Sequence, residues 1–227
     1  MHLLATAVAL VAAYLVGSLS FAVIISRAMG LADPRSYGSK NPGATNVLRS
    51  GNRAAAILTL VFDALKGYVP VLLVLRFGPA WGLGDAEAAF VGLAAFVGHL
   101  WPVFFHFEGG KGVATAAGVL LAVNPWLGLA TLATWLIIAA FFRYSSLASL
   151  VAAAFAPFYQ ALIWGVEPTL VALLGMSLLL IWRHEANIRK LLAGTESRLG
   201  QKAASPVAHV HHHHPPQHQH HHHKGRH

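Results

Sequence analysis

The sequence predicts an all-α integral membrane protein, a polytopic bundle of about seven transmembrane helices. Hydrophobic residues make up 56% of the 227 residues and charged residues only 11%, whereas soluble domains carry about 25% charged residues. The mean hydropathy is +0.57, and long apolar runs recur along the chain. This composition excludes a disordered chain, a soluble enzyme and a coiled coil. The lack of cysteine also excludes disulfides, thiolate zinc sites and a cysteine nucleophile.

Seven apolar segments supply the expected helices. They cover residues 3–25, 54–77, 86–105, 112–123, 126–142, 146–164 and 168–182. The first lacks a basic leader and exceeds the apolar length of a signal peptide, so we expect it to be retained. The fourth would extend only about 18 Å, at 1.5 Å per residue, in a hydrocarbon core of about 30 Å. We therefore expect it to start inside the membrane or to be re-entrant, and five full spans plus re-entrant segments are the alternative count.

The basic residues predict the orientation. With the N-terminus outside, the inside connections and C-terminal stretch hold twelve Lys and Arg residues, and the outside connections hold only Arg76. The twelve are Arg27, Arg35, Lys40, Arg49, Arg53, Lys111, Arg143, Arg183, Arg189, Lys190, Arg198 and Lys202. Because basic residues favour the cytoplasmic side, three polar segments are expected to share that face. The net charge of +8 follows from this bias and implies no nucleic-acid partner.

Two domains of unequal character are expected. Residues 1–202 form the transmembrane domain. Residues 203–227 hold most of the histidines, mixed with Pro and Gln, and such a composition cannot build a packed core. We expect a disordered tail, either native or a purification tag.

The first polar segment, residues 37–49, combines small, hydroxyl and amide residues with an arginine next to the membrane. Backbone N–H groups, hydroxyls and a guanidinium fork suit a phosphate. An ordinary connecting loop with helix caps explains the composition equally well. The candidate ligands are Ser39, Asn41, Gly43, Thr45, Asn46 and Arg49.

The second polar segment, residues 108–115, opens an apolar helix. Glycines let backbone amides approach an anion, and a helix N-terminus adds partial positive charge. The pattern is not a Walker A loop, because Phe105 stands at the first glycine position and Gly112 follows the lysine. We favour an anion site over a hinge. Its candidates are Gly109, Gly110, Lys111, Gly112 and Thr115.

The third polar segment, residues 183–196, holds His184 and Asn187 three residues apart, so on a helix they would share a face. A histidine there could take a proton near neutral pH or donate to an oxyanion. The alternative is a basic helix end with a polar cap.

Further polar residues lie inside the apolar segments. Asp63 and Lys66 would each cost a few kcal/mol alone in a span, so we favour an intrahelical pair facing the bundle over a proton relay. His99 and His106 flank a helix end that contains Pro102. Packing or capping is favoured for both, with a position facing the substrate as the alternative for His106.

Three of these segments resemble the cytoplasmic motifs of the bacterial acyl-phosphate:glycerol-3-phosphate acyltransferases, the PlsY family. They read GSKNPGATNVLR, FEGGKGVAT and RHEANIRKLLAGTE. DALKG at residues 63–67 and GHLWPVF at residues 98–104 also match, and the resemblance covers residues 3–196. One departure is Lys40, where the family usually has a small residue. Its charge could tighten anion binding or point to solvent.

The resemblance implies a seven-helix enzyme of the bacterial inner membrane with a cytoplasmic active site and no cofactor or metal. It would transfer a fatty acyl group from acyl phosphate to the 1-hydroxyl of sn-glycerol 3-phosphate. The products would be 1-acyl-glycerol 3-phosphate (lysophosphatidic acid) and phosphate, at the start of phospholipid synthesis. Membrane lipid and the upstream acyl-phosphate-producing enzyme are the further partners. By motif, the catalytic residues would be Ser39, Arg49, Lys111, His184 and Asn187, with Glu196 holding the local structure.

The chemistry of the residues fits this activity but leaves the proton transfer open. Two anionic substrates, one with an apolar tail, need clustered cations and a groove open to lipid. An activated donor needs mainly positioning and charge stabilisation. Either His184 acts as general base, or the leaving phosphate takes the proton while His184 and Asn187 orient the acceptor. The second is favoured, with no acyl-enzyme at Ser39.

Two other classes are disfavoured. An acyltransferase of the His-x4-Asp type needs an aspartate five residues after a histidine, and Phe104, Lys111 and Arg189 occupy the three relevant positions. A transporter of phosphate or glycerol phosphate, the alternative function, would place charged residues at the midplane in paired halves. Here the polar motifs lie at one face, and no internal repeat is seen.

Overall fold

The computed structural model describes residues 1–200, which form helices and turns without any strand in that range. The α-helices are α1 (His2–Gly17), α2 (Phe21–Ala28), α3 (Ala44–Leu48), α4 (Arg53–Phe77), α5 (Asp85–Leu100), α6 (Val113–Val123), α7 (Pro125–Phe142), α8 (Ser145–Ile163), α9 (Pro168–Arg183) and α10 (Glu185–Leu192). Short 3₁₀ turns cover Gly78–Trp81 and Val103–Phe105. The predicted all-α class is confirmed. The predicted tail lies outside the described residues.

All seven predicted apolar segments are helical. Within residues 1–200, four helical stretches are long and apolar enough to cross a membrane, and six if each of two bent helix pairs is one span. The four are Arg53–Trp81, Asp85–Phe105, α7 and α8. The segment expected to be short remains so, because α6 has only 11 residues. The chain is therefore a multi-pass membrane protein.

The first apolar segment is not one continuous helix, as its sequence had indicated. It breaks after Gly17, and α1 and α2 are bent by 41°. A Cβ at Gly17 would lie 2.0 Å from the carbonyl oxygen of Ala95, so α1 ends in direct backbone contact with α5. The break leaves the Leu19 carbonyl without a helical partner, and the Nζ of Lys66 donates to it at 2.7 Å. A buried lysine thus satisfies the backbone where the helix is interrupted.

Close approach of helix backbones builds the centre of the bundle. A Cβ at Gly118 of α6 would lie 1.9 Å from the Ala64 carbonyl oxygen of α4, and one at Gly67 would lie 2.3 Å from that of Thr115. Small residues allow such contacts in membrane helix pairs. Around them lie the fully buried side chains of Phe96, Leu100, Leu127, Leu173, Val71 and Val119. Helices α4 and α5 hold the middle of the bundle, and α5 ends beside the second polar segment.

One group of charged side chains lies inside the bundle, and we name Asp63, Lys66 and His99 the inner cluster. The Nζ of Lys66 lies 2.7 Å from Oδ1 of Asp63, and both side chains are buried. The Nδ1 of His99 lies 3.7 Å from the same oxygen. Asp63 and Lys66 thus have the geometry expected of an intrahelical pair facing the bundle.

Candidate active site

Contacts between distant parts of the chain bring the three polar segments together. Nη2 of Arg49, at the end of the first segment, donates to Oγ of Ser197 at 2.5 Å, just beyond the third. The Nζ of Lys111, in the second segment, donates to Oδ1 of Asn187 in the third. Nη2 of Arg183 donates to the carbonyl of Gly109 at 2.9 Å. The predicted meeting of these segments at one end of the bundle is therefore present in the described structure.

The glycine loop, residues 108–112, folds back against the end of α5. Gly110 donates its N–H to the His99 carbonyl at 3.1 Å, and a Cβ at Gly110 would lie 2.2 Å from Nε2 of the His99 ring. A Cβ at Gly109 would lie 2.2 Å from the same carbonyl oxygen. The glycines are thus required for close packing on α5. The expectation that the Gly110 amide faces an anion is corrected, because that N–H bonds to protein.

The N-terminus of α6 leaves other donors beside the loop. Gly112 is the N-cap with φ +82°, a left-handed conformation in which glycine is unstrained. The first N–H groups of a helix have no intrahelical partner and carry partial positive charge. Thr115, however, is fully buried, and its Oγ1 has no hydrogen-bond partner among the described residues. It packs against α4 at Gly67, so the structure does not place it where it was predicted to bind phosphate.

Three side chains at this face form a chain of hydrogen bonds, and we name Lys111, Asn187 and Glu196 the face cluster. Lys111 donates to Oδ1 of Asn187, whose Nδ2 donates to Oε1 of Glu196 at 2.7 Å. The same oxygen accepts from the hydroxyl of Ser146 at 2.6 Å. Glu196 therefore anchors Asn187 to α8, and Asn187 in turn orients the lysine.

The electrostatics of the face cluster suit an anionic ligand. Burial lowers the pKa of Lys111 to about 8. The carboxylate of Glu196 acts against that shift, while the positive charges of Lys190, Arg183 and Arg49 add to it. The neighbouring cations disfavour the charged form of Lys111. An anion bound among them would offset their effect and raise the pKa of Lys111.

The first segment is organised by Asn46, whose side chain is buried. Its Nδ2 donates to the carbonyls of Pro34 at 2.6 Å and Tyr37 at 3.2 Å, and its Oδ1 accepts from the N–H of Ser39 at 3.0 Å. Asn46 was predicted as a substrate ligand. Its bonds hold the loop itself, so we correct its place to the loop scaffold.

The other candidates of the first segment reach the surface of the loop. Ser39 and Thr45 are exposed, and Asn41 and Gly43 are partly exposed. Lys40 is exposed and has φ +56°, a left-handed conformation that suits a residue without a Cβ. This backbone geometry favours glycine, the smallest residue, at that position.

His184 lies at a break that the sequence did not predict. Helices α9 and α10 are bent by 56° around it, so the third segment is not a continuous helix. The ring is buried, and Nδ1 lies 2.8 Å from the Leu180 carbonyl oxygen. A carbonyl only accepts, so Nδ1 carries a proton and Nε2 is the acceptor of the neutral ring. His106, the other candidate near the loop, is exposed.

An apolar groove of about 300 Å³ lies between α4 and α6. Its lining residues are Val61, Ala64, Leu65, Tyr68, Gly118 and Leu121. Val61 and Leu65 are 45% and 41% exposed, so the groove opens on the outer surface of the bundle. Gly118 follows the first residue of α6 by five positions, about 8 Å at 1.5 Å per residue.

Comparison with known proteins agrees with this arrangement. The sequence model of the family described as glycerol-3-phosphate acyltransferase matches residues 7–194. The chain belongs to this family. It is 67% identical over 198 residues to the glycerol-3-phosphate acyltransferase of Ralstonia nicotianae, covering 87% of this chain and 96% of the relative. The enzyme of the same name from Burkholderia pseudomallei is 69% identical over 196 residues, covering 86% and 95%.

Solved structures of the family share the fold. PlsY (YgiH), an integral membrane glycerol 3-phosphate acyltransferase, matches in its glycerol 3-phosphate form with a TM-score of 0.80 and 39% identity, over 86% of this chain and 96% of that one. Its lysophosphatidic acid form matches with a TM-score of 0.79 and 38% identity over the same shares. The predicted PlsY family membership and acyltransferase class are confirmed.

Several residues at the site of this acyltransferase were not among the predicted candidates. Arg183 was counted only as a basic residue, although it directly precedes His184 in the third segment. Its position at the end of an apolar helix was the available signal. Ser146 hydrogen-bonds to Glu196, 50 residues away in the chain, and Ser197 hydrogen-bonds to Arg49, 148 residues away. Nothing in their local sequence indicates those contacts.

Proposed function

We propose that this acyltransferase moves a fatty acyl group from acyl phosphate to the 1-hydroxyl of sn-glycerol 3-phosphate, releasing 1-acyl-glycerol 3-phosphate and inorganic phosphate. The observation that carries the proposal is the position of Lys111, held by Asn187 where the three polar segments meet. Further cations, Arg49, Arg183 and Lys190, are near enough to act on its pKa. Both proposed substrates are anions. The crystal forms of PlsY with glycerol 3-phosphate and lysophosphatidic acid support the acceptor and the product.

In this proposal the phosphates bind to the lysine and arginine of the site. Lys111 and Arg49 supply the charge, and the first N–H groups of α6 supply backbone donors. Charge-assisted hydrogen bonds to phosphate are the stronger kind, and a guanidinium binds phosphate in a bidentate way. Ser39, Asn41, Gly43 and Thr45 would complete the site from the loop held by Asn46.

The apolar groove between α4 and α6 would hold the acyl chain. Its lining carries no charged side chain. A chain lying there would reach toward the N-terminal end of α6, next to Lys111. Lipid tails are as apolar as the groove, so moving the chain from the bilayer into it gains little hydrophobic free energy, and the effect of the groove is to orient the chain. A long chain in this groove would then hold the acyl phosphate with its carbonyl near the cations.

For the proton of the acceptor hydroxyl, we favour transfer to the departing phosphate. The Nε2 of His184 is the acceptor of the ring, but burial lowers the pKa of the ring to about 4, and such a weak base suits an orienting role better than that of the proton acceptor. Ser39 is exposed, and no histidine or carboxylate bonds to its hydroxyl among the described residues, so an acyl-serine is not expected. General-base catalysis by His184 is the competing mechanism, and it would be worth about 10²–10⁴-fold.

We place the protein in the bacterial inner membrane with its N-terminus outside and the active site and C-terminus in the cytoplasm. The unequal distribution of Lys and Arg supports this orientation. The chain has no cysteine, so Lys40→Cys and Gly84→Cys each create a single labelling site. In intact cells, an impermeant thiol reagent should label the Gly84→Cys protein only. Labelling of the Lys40→Cys protein would contradict the orientation.

The functional unit would be residues 1–202, with the enzyme that produces acyl phosphate as its supplier. A chain ending at residue 202 should retain the full turnover number. A loss of more than about threefold on truncation would assign a role to residues 203–227.

The deciding experiment compares donors for the purified protein in detergent. With glycerol 3-phosphate present, acyl phosphate should give acylated product and an equal amount of phosphate, while acyl-CoA and acyl carrier protein should give none. Product from either of the other donors would contradict the acyl phosphate specificity. A protein that moves phosphate across vesicles without any donor-dependent release would be the transporter.

A further inference from the structure

Arg183 makes three side-chain hydrogen bonds to backbone carbonyls at the site. It is the last residue of α9. Its Nη2 donates to the carbonyl of Gly109 at 2.9 Å and to that of Gly110 at 3.2 Å, and its Nε donates to Gly110 at 3.2 Å. One planar guanidinium thus spans two consecutive carbonyls, 73 and 74 residues away in the chain.

The other side of the same two peptide groups is also held. The N–H of Gly110 donates to the His99 carbonyl, and the space beside Gly109 and Gly110 is filled by the end of α5. The glycine loop therefore lies between α5 and Arg183. Removing Arg183 would leave the contacts with α5 but free both carbonyls.

The direction of the Lys111 amide follows from this clamp. In a trans peptide the C=O and the next N–H point in opposite directions. The Gly110 carbonyl points to Arg183, so the N–H of Lys111 points away from it. The side chain of Lys111 meets Asn187, which follows Arg183 by four residues across the bend at His184. The backbone and the side chain of Lys111 are thus both set by the third segment.

We propose that Arg183 is a positioning residue, which aims the amide and the ammonium of Lys111 at the substrate by clamping the carbonyls of Gly109 and Gly110. This inference rests on the proposed function, in which Lys111 binds phosphate. Arg183 does not need to touch the substrate. The competing explanation is that Arg183 only stabilises the C-terminal end of α9, where a cation is favourable to the helix dipole.

Arg183→Lys separates these two explanations, because it keeps the charge at the helix end and loses the fork. A lysine cannot reproduce a planar contact with two carbonyls. Misplacement of a catalytic group by about 1 Å can cost about 10²-fold. We expect kcat/KM for glycerol 3-phosphate to fall by about 10- to 10²-fold in Arg183→Lys, with an unchanged melting temperature.

Arg183→Ala adds a second readout, the pH dependence of kcat/KM. The charged groups facing Lys111 are Glu196, Lys190, Arg183 and Arg49, with His184 beside them. Loss of the Arg183 charge should move the limb that belongs to Lys111 to higher pH, whereas Arg183→Lys should leave it in place. This readout checks that the charge of Arg183 acts on Lys111, and a loss of kcat/KM in Arg183→Lys with the limb in place then assigns that loss to the missing fork.

The matched control is Arg189→Ala, because Arg189 is exposed and pairs with Glu185 on α10. It should keep kcat/KM within twofold. The proposal is overturned if Arg183→Lys is also within twofold of the unmodified protein, if Arg183→Ala leaves the pH limb unmoved, or if activity is lost only together with folded protein.

Failure of the proposed function would look different. The unmodified protein would then show no donor-dependent acyl transfer. The role of Arg183 would then be tested by the rise in melting temperature when glycerol 3-phosphate is added. This rise should be smaller in Arg183→Lys than in the unmodified protein. An equal rise in both proteins would overturn the positioning role.

Discussion

The inner cluster and the face cluster use similar side chains in opposite ways. In the inner cluster the Lys66 ammonium has two close partners, the carboxylate of Asp63 and the carbonyl of Leu19, both at 2.7 Å. In the face cluster Lys111 donates to the neutral Asn187, and the single carboxylate of Glu196 faces three more cations, Lys190, Arg183 and Arg49. The charge is balanced inside the bundle and unbalanced at its end.

This difference separates a structural polar group from the proposed binding site. A buried charge must be paired because its desolvation costs several kcal/mol. A site for anions gains affinity from positive charges that have no protein counterion. Lys66 and Lys111, with opposite proposed roles, can therefore be told apart by the sign of the net charge around each one. Four experiments test this distinction.

The largest effect is expected from Lys66→Met, which leaves the carboxylate of Asp63 buried without its partner. Breaking a buried ion pair costs about 3–5 kcal/mol. We expect the melting temperature in detergent to fall strongly, with activity lost only as folded protein is lost. Thermal unfolding followed by circular dichroism measures the change.

The double variant Asp63→Leu with Lys66→Met is the control, since apolar replacement of a whole buried pair is often neutral. It should recover the stability lost to the unpaired carboxylate and most of the turnover, while the Leu19 carbonyl stays without its partner, at a cost of about 1–3 kcal/mol. Recovery of folding without recovery of activity would show that the inner cluster takes part in catalysis.

Lys111→Ala should have the next largest effect, and on activity alone. Loss of one preorganised donor at a developing charge costs about 10²–10³-fold in kcat. The melting temperature should hardly change, because the loop stays clamped by Arg183 and α5. Lys190→Ala is the matched control, since Lys190 is exposed and acts on the site only through its charge. Equal losses in both variants would argue for general charge attraction in place of a specific role for Lys111.

The sequence predicts the inner cluster better than the face cluster. Asp63 and Lys66 are three residues apart on one helix, so their pairing follows from helix geometry. The face cluster joins residues 76 apart in the chain, and its geometry depends on a bend at His184. The three motifs indicate which segments meet there. They do not indicate which atoms meet.

The roles of single residues within a motif are the least predictable part. The sequence predicts both Asn46 and Arg49 as phosphate ligands. In the structure, Asn46 donates to the loop backbone and Arg49 donates to Ser197. The glycines of the second motif fit both a cradle for an anion and close packing on α5. Tertiary contacts decide between such alternatives, because only they show where each peptide group points.

The third experiment is a pH profile of kcat/KM. The ammonium of Lys111, with its pKa lowered to about 8 by burial, is charged below that pH and neutral above it. If the charged form binds phosphate, kcat/KM falls above pH 8, by about tenfold for each pH unit, and is flat on the acid side of that limb until another group titrates. Lys111→Arg should remove the limb, because a guanidinium stays charged throughout this range.

The acid side of the same profile tests the proton transfer. Burial lowers the pKa of His184 to about 4, so a general base there would give an acid limb near pH 4 that disappears in His184→Gln. If the donor phosphate takes the proton, His184→Gln should leave the acid side of the profile unchanged. A trapped acyl-serine after incubation with acyl phosphate alone would contradict the role proposed for Ser39.

The smallest effect is expected from Lys40→Gly, which tests how far the positive face extends. Lys40 is exposed and holds φ +56°. That conformation costs a residue with a Cβ about 1–2 kcal/mol, while glycine loses about 0.5–1 kcal/mol more backbone entropy on folding. The free energy of unfolding should therefore rise by roughly 0.5–1 kcal/mol, the difference between these two terms. The KM for glycerol 3-phosphate should stay within twofold, since a charge in open solvent is screened within about 10 Å at 0.1 M salt. A rise in KM of threefold or more would instead make Lys40 a second cation of the anion site, which only charges in contact with the ligand can achieve at that ionic strength.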